Sequence, residues 1–304
     1  MGKALIFSGV IIDNPLQTVT FKKELITASD YVSAYKEAVG SLTSKQESSL
    51  LTFVENLMAN DIWDKVNYFF PLIKGTDYQA YNLKSIKNIG FIARTPSYNS
   101  EKDCLHIGYD GLAMCTTADI ELDINNMTSI ISYAGSCNFF APVSLGINNR
   151  QDDYIRFGGN QIVEGNYWLR HYPTIKTSSE TVGIKNSGSS NAWFSSSSID
   201  NILVSLSITS STKASSTVYS IEGGKKFEAD DISVDFHESY RDLDKFPLKL
   251  GGYYGVESSS QPVEVDLYCI FLADKLSDSE LAIATKAVNQ FNNDLGRYTG
   301  ELVE

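Results

Sequence analysis

Positive charge is scarce in this chain: 25 lysines and arginines stand against 37 aspartates and glutamates, for a formal net charge of −12. Nucleic-acid affinity is dominated by cations that neutralise phosphates, so the balance argues against a DNA or RNA partner, and anionic membrane surfaces are disfavoured for the same reason. No apolar run reaches the ~18 residues that a spanning helix needs, so no membrane insertion is expected. The opening run Ala4–Ile12 is broken by Ser8-Gly9, stops at Asp13-Asn14-Pro15 and lacks a small-residue cleavage site. It reads as a short strand rather than a signal peptide. Gly2 lacks the downstream Ser or Thr of a myristoylation signal.

Cysteine and histidine are equally sparse. Cys104, Cys115, Cys137 and Cys269 form no close pair, and no histidine stands beside them at ligand spacing. Neither disulfide nor zinc is expected, and no cofactor or metal is assigned. Cys104, Cys115 and Cys269 lie in apolar, strand-like surroundings that suit small buried thiols. His106, His171 and His237 are far apart, and each reads as a satisfied strand or loop residue. There is no Gly-x-Ser-x-Gly elbow to anchor a hydrolase triad and no Walker or Rossmann phosphate cradle; Phe157-Gly158-Gly159-Asn160 reads as a hairpin turn.

What the chain has is alternation. From about residue 84 the apolar period is two, with candidate strands at Cys104–Tyr109, Ala118–Ile124, Ser129–Tyr133, Pro142–Ile147, Tyr154–Phe157, Ile202–Thr209, Ser216–Ile221, Leu248–Tyr253 and Val263–Phe271. Gly, Asn, Ser and Asp punctuate them, with a tight turn at Gly223-Gly224. Many short strands without intervening helices point to a sandwich or barrel. The Ser/Gly/Asn-rich stretch 177–198 reads as a long surface loop.

Helices stand at both ends. Ser29-Asp30 is placed to cap a first helix that Gly40 ends, and Ser44-Lys45-Gln46-Glu47 has capping-box form. The second helix carries Leu50, Leu51, Val54, Leu57 and Met58 at helical spacing, a stripe that Ile62, Trp63, Val66 and Phe69 continue toward Phe70-Pro71. Such a stripe docks on the sandwich or on a neighbouring subunit. At the other end Ser277-Asp278-Ser279-Glu280 repeats the capping box, Leu281, Ala284, Val288, Phe291 and Leu295 form an apolar face, and Gly296 is placed as a C-cap. Three segments follow: residues 1–27 as a strand or anchor, 28–83 as a helical hairpin for attachment or oligomerisation, and 84–304 as the sandwich with its closing helix.

The run Val263–Leu281, a strand leading through Leu276-Ser277-Asp278-Ser279-Glu280 into a helix, resembles the closing strand and helix of concanavalin A-like and laminin-G-like domains. The hairpin at 202–221 is similar to one in that family, with Glu222-Gly223-Gly224 replacing its usual turn. The resemblance implies a mainly β, antiparallel concanavalin A-like (laminin-G-like) sandwich, with the N-terminal helical hairpin and C-terminal helix added. A narrower resemblance lies in Leu57–Val66, Phe69–Gly75, Tyr81–Lys84 and the ending Phe291-Asn292-Asn293-Asp294-Leu295-Gly296-Arg297. These pieces look like segments of structural proteins of tailed bacteriophages. That resemblance implies a non-enzymatic head- or tail-fibre component made in the host cytoplasm and located in the virion. Implied partners are other virion proteins, further copies in a dimer or trimer, and a host surface glycan.

Laminarinase-like hydrolases of the same fold carry Glu-x-Asp-x-Glu, and Glu121 and Asp123 share a strand face here. Retaining hydrolysis needs a nucleophile and a proton donor. The third acid is replaced by Asn125 or Asn126, so Asp119, Glu121 and Asp123 read as solvated strand residues and no catalytic residue is assigned. The acidic stretch 228–244, with Asp230, Asp231, Asp235, Glu238, Asp242 and Asp244, offers oxygen ligands of the kind calcium takes, but no fixed loop spacing, and reads as a solvated face. For a sugar-contacting surface the sequence points to Tyr167, Trp168, His171 and Tyr172, since flat rings cover the apolar face of a pyranose. For an oligomer or partner interface it points to Leu50, Val54, Leu57, Met58 and Trp63. The alternative to the virion role is a carbohydrate-binding or glycan-cleaving protein of the laminarinase-like fold.

Overall fold

A computed structural model describes residues 26–73, 80–90, 96–107, 115–123, 125–137, 143–146, 154–157, 160–163, 166–169, 174–176, 181–183, 194–196, 201–210, 213–222, 224–233, 245–250 and 263–303. Two helices open this portion. Helix α1 (Ala28–Val39) is capped by Thr27, whose hydroxyl accepts from the Asp30 amide while the Asp30 carboxylate accepts from the Thr27 amide. Helix α2 (Ser44–Ala59) is capped the same way by Thr43 and Gln46. The capping boxes thus start at Thr27 and Thr43, upstream of the serines expected from the sequence, because a threonine hydroxyl reaches the N3 amide equally well.

The helical stripe also ends earlier than its apolar spacing suggests. After Ala59 the chain makes one 3-10 turn at Trp63–Lys65 and then becomes strand β1 (Val66–Phe70). A run of Val, Tyr and two Phe satisfies either period, and pairing with the sheet decides for the strand. The closing helix α3 (Asp278–Leu295) follows the sequence reading closely: Ser277 and Glu280 form the capping box, and Gly296 takes the left-handed conformation (φ 73°) that ends it.

The strands form an antiparallel sandwich. The larger sheet runs β17 (Lys225–Ser233), β16 (Lys213–Ser220), β15 (Asn201–Ser210), β7 (Met127–Cys137), β19 (Val263–Asp274), β5 (Cys104–Ile107) and β4 (Ser97–Asn99), with β1 pairing the C-terminal half of β19. The smaller sheet runs β13 (Thr181–Gly183), β12 (Thr174–Lys176), β9 (Tyr154–Phe157), β8 (Val143–Gly146), β18 (Lys245–Leu250) and β6 (Cys115–Glu121). A three-stranded sheet of β10 (Asn160–Val163), β11 (Asn166–Leu169) and β14 (Phe194–Ser196) and the small hairpin β2 (Tyr81–Asn82) and β3 (Lys87–Asn88) complete it. The stretch expected as one long loop therefore holds β13 and β14.

Two apolar clusters divide the larger sheet by face. Ile131, Val204, Leu206, Leu267 and Ile270 pack inward with Ile120, Val143, Leu248 and Leu250 of the smaller sheet. Ile130, Leu203, Tyr268, Cys269 and Phe271 point the other way, into a layer made by α1, α2, β1 and α3. Phe53 of α2 stacks on Phe69 of β1 at 4.1 Å between ring centroids, and Phe291 of α3 meets both. Fully burying each such ring contributes about 1.5–3 kcal/mol, so this layer belongs to the fold's stability.

Strand β19 serves both clusters by means of a bulge. Leu267 lies opposite Tyr133 and Cys269 opposite Ser132, leaving Tyr268 as the extra residue. Tyr268 and Cys269 therefore both face the helices, and alternation resumes with Ile270 and Leu272 inward. Arg297, delivered by the turn at Gly296, is fully buried behind this bulge. Its Nη1 donates to the Tyr268 carbonyl (2.6 Å) and to Asn292 Oδ1 (3.0 Å), its Nη2 to the carbonyls of Pro71 (2.9 Å) and Asp103, and its Nε to that of Asp103 (3.2 Å).

Candidate functional site

The helix stripe expected to meet a partner is taken up within the chain, which corrects the interface assignment. Leu50, Val54 and Leu57 have no exposed surface, Trp63 is 2% exposed, and Met58 is half-buried against the same cluster. Trp63 has the Tyr31 ring edge-on at 5.2 Å and the Lys84 ammonium 4.9 Å from its centroid. The apolar spacing marks a buried face, and what it packs against is the back of the larger sheet.

Of the sugar-contact residues, Tyr167 and Trp168 lie on β11, opposite Ile162 and Gln161 of β10 and Ser196 and Ser195 of β14. His171 and Tyr172 lie outside the described residues. Of the acidic stretch 228–244, residues 228–233 belong to the edge strand β17, where Glu228 pairs with Lys226 at 2.8 Å, and 234–244 lie outside the described residues.

The carboxylates Asp119, Glu121 and Asp123 are exposed, while Ile120 and Leu122 between them are buried. Glu121 approaches Lys245 at 3.4 Å, and Asp123 Oδ1 accepts from the Asn125 amide at 2.9 Å. This is the solvated arrangement that the sequence suggested. Cys104 and Cys269 are buried free thiols, and burial pushes them up to about 12 and about 11, where they stay protonated.

His106 was read as a satisfied strand residue, and the geometry agrees. Ser97, His106 and Asp266 stand directly opposite one another on β4, β5 and β19. His106 Nδ1 lies 2.7 Å from Asp266 Oδ1, and Asn99 Nδ2 donates to Asp266 Oδ2 at 2.9 Å. The Ser97 hydroxyl donates to the His106 carbonyl at 3.2 Å, so it is spent on the backbone and not on the imidazole. A nucleophile needs its base within hydrogen-bond reach, and this row instead pins the edge hairpin to the central strand.

On the smaller sheet the described exposed side chains lie at one border. Val143, Leu248 and Leu250 are buried in the sandwich core. The backbone register orders this sheet: Lys249 pairs Ser144, Ser144 pairs Arg156, and Ile155, one step along, pairs Ile175. Asp119, Glu121 and Lys245 are exposed along the β6–β18 border of this sheet.

Among the described residues no group of three or more His, Cys, Asp and Glu is arranged to hold a metal ion, and no helix is long and apolar enough to cross a membrane. No family model matches the sequence, and no curated protein does. Solved structures give a distant likeness. The binding domain of botulinum neurotoxin DC, solved in complex with rat synaptotagmin II, is 9% identical over 75% of this chain and 52% of that one, with a TM-score of 0.44. The binding domain of paraclostridial mosquitocidal protein 1 is 11% identical over 74% and 52%, with a TM-score of 0.40. A protein of unknown function from Shewanella oneidensis MR-1 is 11% identical over 60% and 74%, with a TM-score of 0.36. The chain spans about half the length of the toxin domains it matches. A likeness of this size bears on neither ligand nor partner. The fold rests on the strand order and register: a mainly β, antiparallel sandwich with two N-terminal helices and a C-terminal helix.

Proposed function

We propose that this chain is a non-enzymatic attachment module of a virion, a head- or tail-fibre component of a tailed bacteriophage that displays its sandwich toward the host surface. The observation that carries the attachment role is the division of labour between the two sheets. The back of the larger sheet is filled by helices, while on the smaller sheet Asp119, Glu121 and Lys245 stand exposed on paired strands. The virion assignment rests on the resemblance of Leu57–Lys84 and Phe291–Arg297 to phage structural proteins. With the helix stripes used internally, assembly into a dimer or trimer and attachment to other virion proteins fall to the segment 1–27.

Electron microscopy of intact particles from the source tests this reading. Density for the sandwich on a head or tail appendage is the expected result, and particles without this chain overturn the virion assignment. Light scattering of the purified chain is expected to show a dimer or trimer that becomes a monomer when residues 1–25 are removed. The second reading, glycan cleavage on the laminarinase-like pattern, is favoured only by exposed Glu121 and Asp123, and release of reducing sugar from a host glycan would bring it forward.

A further inference from the structure

We draw no further inference here: the strongest candidate, the side-chain cluster of Asp119, Glu121 and Lys245 at the β6–β18 border beside the half-buried Tyr68 ring, belongs to the surface already described, and no second observation among the described residues points to a ligand on it.

Discussion

Among the described residues, replacing Arg297 by alanine should cost more stability than any other single polar change. The side chain has no exposed surface, and its donors meet the carbonyls of Pro71, Asp103 and Tyr268 and the amide oxygen of Asn292. These acceptors belong to the end of β1, the β4–β5 turn, the β19 bulge and the last turn of α3, four segments joined by one guanidinium. The bulge leaves Tyr268 outside the regular ladder register, and Arg297 supplies its carbonyl with a donor. The Asp103 carboxylate, held by Gln46 Nε2 at 2.8 Å and by the Tyr98 hydroxyl, provides a nearby opposite charge. Hydrogen bonds from a charged donor contribute about 1.5–3 kcal/mol each, and a buried acceptor left unmade costs about 1–3 kcal/mol. Water entering the vacated space recovers part of this, so R297A is expected to lose about 4 kcal/mol, a large share of the ~5–15 kcal/mol that folded domains possess. R297K keeps the charge but not the fork, and should still lose about 2–3 kcal/mol. Urea titration at neutral pH measures both. A midpoint for R297A within about 1 kcal/mol of the parent would refute the claim that this residue joins the layers.

Two further outcomes follow from the same packing. Leu57→Ala opens a cavity between α2 and the sheet and is expected to cost about 2–5 kcal/mol by urea titration while leaving the oligomeric state unchanged in light scattering; a change of assembly with intact stability would return the stripe to an intermolecular role. Lys65 contacts Glu280 at 2.7 and 2.9 Å, and with the Ser277 amide it holds that carboxyl down at about 2. A depressed carboxylate stabilises the fold above its unfolded value and loses that contribution as pH falls from about 4.5 toward 2. Lys65→Met should therefore flatten this part of the acid unfolding profile, with an effect below about 1 kcal/mol for so exposed a pair; identical profiles for variant and parent would show that the pair does not contribute.

Local chemistry made several elements legible. Ser277 and Glu280, the face Ala284, Val288, Phe291 and Leu295, and Gly296 specify α3 within a single stretch of chain, since each cap and its partner lie within one turn. The strands at 104, 154, 202 and 263 were visible for a similar reason, as period-two alternation needs no distant partner to be recognised. Val66–Phe70 was misread because an all-apolar pentapeptide fits both periods, and only hydrogen bonding to β19 settles it. The order of the smaller sheet was hidden because its strands are far apart in sequence, and nothing local says that 249 lies opposite 144.

Taken alone, the sequence determined where α1 and α3 stop, which of the longer strands alternate with period two, and that the chain is acidic overall. These are properties of neighbouring residues. Tertiary structure decided the rest: that the helix stripes serve their own sheet, that Tyr268 breaks the alternation of β19 so one strand lines two cores, and that Arg297 closes the gap this leaves. Each of these depends on strand order and register, which arise from packing apolar faces across the whole chain.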